Sequence, residues 1–110
     1  MERFSVETSA TDRRVIVVGE VDLASAGGLD HELDRRLGDG SGTVVVDCAG
    51  ITFIDSSGLR TLIEAAGKAE EAGLAFRLVA VPAPVARVFE LAGVTSLFSI
   101  DTDTEEALTD

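Results

Sequence analysis

Short runs of β-branched residues alternate along this chain with longer stretches in which apolar side chains recur every three or four positions. Strands alternating with helices satisfy both periods, which makes the chain an α/β protein. Phe4 and Val6 alternate with polar neighbours, Asp12-Arg13 reads as a turn, and Val15-Ile16-Val17-Val18 reads as a second, more buried strand. The two runs pair as a hairpin, and Gly19 is expected to end the second. Ala26, Leu29, Leu33 and Leu37 then form one stripe, predicting a helix over residues 23–37 that lies against the sheet. Gly27 and Gly28 weaken its first turns by up to ~1 kcal/mol each relative to alanine, and Gly38, Gly40 and Gly42 break the pattern.

Residues 43–48 are apolar on both faces, as in a central strand covered on each side. A loop over residues 49–55 is expected to follow. Leu59, Leu62, Ile63, Ala66 and Ala69 restore the helical period until Gly73, and residues 75–81 read as the next strand. Pro82-Ala83-Pro84 bars its continuation. Val85, Val88, Phe89 and Ala92 predict a short third helix stopped by Gly93, and residues 97–100 predict an edge strand. Thr102 with Glu105, and Asp103 with Glu106, have capping-box spacing, so a terminal helical turn is expected. With 110 residues and 45% apolar composition, the chain suits one domain over residues 1–110.

Twenty acidic against nine basic side chains give a formal charge of -11, which offers phosphate backbones and anionic lipid little to bind. Nucleic acid is therefore not an expected direct partner, and the same acidity serves solubility. Cys48 is the sole cysteine and His31 the sole histidine, so no intrachain disulfide is possible and no metal or other cofactor is expected. Met1-Glu2-Arg3-Phe4 is not a basic-then-apolar leader, and no apolar run approaches the ~20 residues that span a bilayer. The expected location is the cytoplasm, and the expected state a monomer.

The segment Ile51-Thr52-Phe53-Ile54-Asp55-Ser56-Ser57-Gly58-Leu59 leads from strand into helix. A helix start presents free amides and the positive end of the dipole, which favour an anion by about 0.3–2 kcal/mol. A phosphate on a serine suits such a place. So does a plain N-cap, which accounts for one of Asp55, Ser56 and Ser57 and is worth about 1 kcal/mol.

Phe53-Ile54-Asp55-Ser56-Ser57-Gly58-Leu59 resembles the signature of the STAS-domain anti-sigma-factor antagonists. Other segments agree in order. Gly19-Glu20-Val21-Asp22 resembles the family's turn before its first helix, Val44-Val45-Val46-Asp47 the strand that feeds the signature, and Arg87-Val88-Phe89-Glu90-Leu91-Ala92-Gly93 its late helix. The likeness runs from about residue 4 to residue 108. It implies a STAS fold: a mixed sheet of about five strands, the first two a hairpin, with about four helices mostly on one face.

The resemblance implies further that Ser56 is phosphorylated by a GHKL-type serine kinase that is also the anti-sigma factor. The unphosphorylated form binds that partner and frees the sigma factor, and a serine phosphatase reverses the modification. Asp22, Asp55, Ser56, Ser57 and Gly58 then form the partner-binding surface. Two positions depart from the pattern: Pro82-Ala83-Pro84 replaces a Ser-Pro start, and Arg60 stands where glycine is frequent. The alternative is a STAS subunit of a stress-sensing scaffold or lipid-transport complex, without a sigma-factor partner. An enzyme is not expected, because a Ser-His-Asp relay would depend wholly on His31.

Overall fold

Valine at every second position drives the sheet: Val15 and Val17 in one strand, and Val44 and Val46 in its neighbour, all turn to the core and are fully buried. The computed structural model describes residues 4–40 and 42–102. Strand β1 (Ser5–Thr8) pairs antiparallel with β2 (Val15–Val21), which is the expected hairpin. Helix α1 (Leu23–Gly38) leads to β3 (Thr43–Ile54), α2 (Ser56–Glu71) to β4 (Ala75–Val81), and α3 (Ala83–Ala92) through a 3-10 turn at Thr95–Leu97 to β5 (Ser99–Thr102).

The sheet order is β1-β2-β3-β4-β5, and every pair after the first is parallel. Each parallel step moves the same way across the sheet, so right-handed crossovers place the three helices on one face. Leu29 and Leu33 of α1, Leu62 and Ala69 of α2, and Phe89 of α3 meet the inward valines in one core. Phe98 closes the far edge, with its ring edge-on to Phe89 at 5.2 Å. The fourth expected helix and both capping boxes reach beyond the described residues. No helix among the described residues is long and apolar enough to cross a membrane.

The register corrects the sequence expectations in several places. Gly19 does not end β2. It takes a positive φ of 100° and the strand continues to Val21 through an irregular pairing. The loop expected over residues 49–55 is largely strand, because Gly50, Ile51, Phe53 and Ile54 pair with Val18, Gly19, Glu20 and Val21. A Cβ at Gly50 would lie 2.9 Å from Val18 Cγ2, so this crossing needs glycine. Within β3, the Asp47 carboxylate accepts from Arg14 Nη1 at 2.7 Å.

On α1, Ser25 and Arg36 are buried while Ala26 and Leu37 are only half-covered. Both polar groups are satisfied: the Ser25 hydroxyl donates to Glu20 O at 2.8 Å, and Arg36 donates to the carbonyls of Arg13 and Thr43 at 3.1 Å each. Ala92 is exposed, so the buried face of α3 is Val85 and Phe89. The last strand lies two residues later than expected, since Thr95–Leu97 coil into the 3-10 turn before Phe98 anchors the chain.

Candidate functional site

Two helices begin side by side where β2 and β3 end. Asp22 caps α1, its Oδ1 accepting from Ala24 N at 3.0 Å and Ser25 N at 3.2 Å, while Asp22 N donates to Ser25 Oγ at 2.9 Å. Asp55 caps α2, its Oδ1 accepting from Ser57 N at 2.9 Å and Gly58 N at 3.1 Å. Asp55 N donates to Val21 O at 3.1 Å, so the residue before one cap is bonded to the other cap. The sequence left open which of Asp55, Ser56 and Ser57 is the cap. Asp55 takes that role, and both serines fall in the first turn.

Ser56 is the first residue of α2 and is exposed. Ser57 is half-buried, and its carbonyl accepts from the Thr61 hydroxyl at 3.1 Å. Thr61 thus lies inside α2 and bonds backward to the preceding turn. Gly58, expected at the docking surface, is buried. A Cβ there would lie 2.6 Å from both Val21 O and Val21 Cγ1 and 3.0 Å from Ile54 Cγ1, so the glycine lets α2 start against the strand ends.

With two α2 amides already bonded to Asp55, an anion on Ser56 meets the helix dipole but fewer free N–H groups than the bare sequence allowed. A groove of about 300 Å³ opens beside Ser56, lined by Leu23, Ala26, Ser57, Arg60 and Thr61. Leu23 at its rim is 79% exposed, and Phe53, three residues before Ser56, is 50% exposed. Sequence periodicity had left both residues out of the site. Phe53 was detectable as an aromatic in the segment before the serine, and Leu23 as a leucine directly after a cap.

His31 lies on α1 some eight residues past Leu23, about 12 Å along the axis, and is exposed; it does not line the Ser56 groove. The Cys48 thiol is buried in the core, and burial pushes its pKa up to about 12, with Asp47 adding to the rise. No group of three or more His, Cys, Asp and Glu side chains that could hold a metal occurs among the described residues.

The structure thus sets an exposed serine at a strand-to-helix junction of a one-faced sheet domain, beside a groove with Leu23 at its rim. The chain belongs to the STAS domain family: the family model described as "Mlab, STAS domain" matches residues 4–99. Among solved structures it is similar to an anti-sigma factor antagonist from Mycobacterium paratuberculosis, with 27% identity over 99% of this chain and 92% of that one and a TM-score of 0.74. It is also similar to the anti-sigma factor antagonist SpoIIAA in its unphosphorylated form, with 19% identity, 96% and 93% coverage and a TM-score of 0.69. The phosphorylated form of SpoIIAA, from Bacillus, gives 21% identity, 97% coverage of each chain and a TM-score of 0.64. No curated protein matches the chain.

Proposed function

We propose that this protein is an anti-sigma-factor antagonist whose unmodified form binds an anti-sigma factor and whose docking is switched off by phosphorylation of Ser56. The observation that carries the reading is the exposed Ser56 hydroxyl at the start of α2, next to the cap Asp55 and beside an apolar-rimmed groove. The relatives named as antagonists favour this switch over a scaffold or transport-complex subunit. One of those relatives exists in both unphosphorylated and phosphorylated forms.

In the switch, a GHKL-type kinase partner brings ATP. The Ser56 Oγ bonds to the γ-phosphorus, the bond from the β,γ-bridging oxygen to that phosphorus breaks, ADP departs, and the hydroxyl proton is lost. The serine gains about 1.5–2 negative charges. Each charge about 5 Å from the Asp55 carboxylate is repelled by about 3 kcal/mol at an effective dielectric near 20, more than the helix start returns. A surface that must lose water to dock becomes charged and hydrated, and the domain need not refold. Asp22 and Asp55 frame the surface, Ser57 lies beside Ser56, and Gly58 supports it from beneath. A serine phosphatase restores the hydroxyl. Neither ATP nor metal has to reside in this chain, and the switch operates in the cytoplasm, where sigma factors act.

The test is to mix the purified protein with each candidate anti-sigma kinase, ATP and magnesium, then map phosphate by peptide mass spectrometry. Label at Ser56 that vanishes in Ser56→Ala is the expected result. Label elsewhere, or none with any candidate, contradicts the reading.

A further inference from the structure

We infer that Arg60 is the intrachain counter-cation for phosphate on Ser56, holding the modified side chain along α2; this rests on the phosphoacceptor reading given above. Residues four apart on a helix share a face, with Cβ atoms about 5–6 Å apart. Ser56 and Arg60 accordingly line the same groove, and both are exposed. Arg13, Arg14, Arg35 and Arg77 each pair with a carboxylate, whereas Arg60, like Arg87 on α3, makes no ion pair or side-chain hydrogen bond among the described residues, and of these two only Arg60 lines the groove. Its guanidinium is uncommitted until an anion enters the groove.

The surroundings make that pairing selective. Asp55 and Asp22 cap the two helix starts, Glu20 lies exposed at the end of β2, and Glu64 lies exposed one turn beyond Arg60. All four repel a phosphate, and Asp55 has already taken the amides of Ser57 and Gly58. Arg60 is the cation lining the groove. An anion N-terminal to a cation at this spacing is the favoured order, and a guanidinium grips phosphate oxygens in pairs. Part of the added charge is thus neutralised within the chain, and the phosphate oxygens are oriented rather than free.

The experiment introduces phosphoserine at position 56 during translation, so no kinase is required, and follows the phosphate through its second ionisation by phosphorus NMR. Wild type, Arg60→Gln and Arg60→Lys are compared at low salt and at about 1 M salt. The expected result is a titration midpoint raised by about 0.3 pH unit or more in Arg60→Gln. Arg60→Lys should retain most of the wild-type value, and high salt should collapse the difference. A midpoint in Arg60→Gln equal to wild type at low salt overturns the pairing. Kinase labelling and this titration fail independently: absent labelling removes the phosphoacceptor reading, while an unshifted midpoint removes only the role of Arg60.

Discussion

Gly58 shows how much a single missing carbon can control. Its absent Cβ leaves room for Val21 O and Cγ1 at a separation that no alanine tolerates. Gly58→Ala is therefore expected to destabilise the protein by about 1–3 kcal/mol, an overpacking cost, despite the better helix propensity of alanine. Urea unfolding measures this, and a stabilised variant contradicts the packing. Cys48 gives a second residue-scale prediction. Its thiol titrates near 12 in the fold against an ordinary 9.0, so its favourable contribution is complete below about pH 9 and is lost as pH rises through the folded value. The stability advantage of wild type over Cys48→Ala should shrink above pH 9 by about 1 kcal/mol per pH unit. A gap that stays constant from pH 8 to about 11 would show that burial does not hold the proton.

At the scale of elements, α2 depends on its cap. Asp55→Ala removes the acceptor for Ser57 N and Gly58 N and should cost about 1 kcal/mol, whereas Asp55→Asn keeps an oxygen there and should cost a few tenths. Equal losses in the two variants, read from thermal unfolding, would mean that the charge matters more than the hydrogen bonds. The elements also show what a lone sequence reveals. Residues 75–81 and the stops at Gly73 and Gly93 were legible, because local composition alone defines a short, largely apolar run and a helix end. The continuation of β2 through Gly19 and of β3 through residues 49–54 was not. Glycine reads locally as a break, and only pairing between the two strands turns Gly19 and Gly50 into irregular but bonded positions. In the site, the order Asp55, Ser56, Ser57 announced a helix start, but the choice of Asp55 as cap depends on backbone geometry. The contact between Gly58 and Val21 is between residues distant in sequence, so no local pattern carries it.

At the scale of the whole molecule, both capped helices start at one sheet edge, the carboxyl ends of β2 and β3. Val21 is paired with Ile54, bonded to Asp55 N and packed under Gly58, which locks the two helix starts to one sheet edge. Ser56 is exposed outside this lock, so in the proposed switch a group added to it changes charge and hydration at the surface without disturbing the packing beneath. The chain already carries a formal -11, so the effect lies in where the new charge sits rather than in the total. The decisive measurement is the dissociation constant of the cognate anti-sigma kinase for this protein before and after phosphate is placed on Ser56. A docking penalty of about 3 kcal/mol from a charged, hydrated group at the interface corresponds to roughly 100-fold weaker binding, and a loss of at least that size is expected. Equal affinity for the two forms would contradict the account.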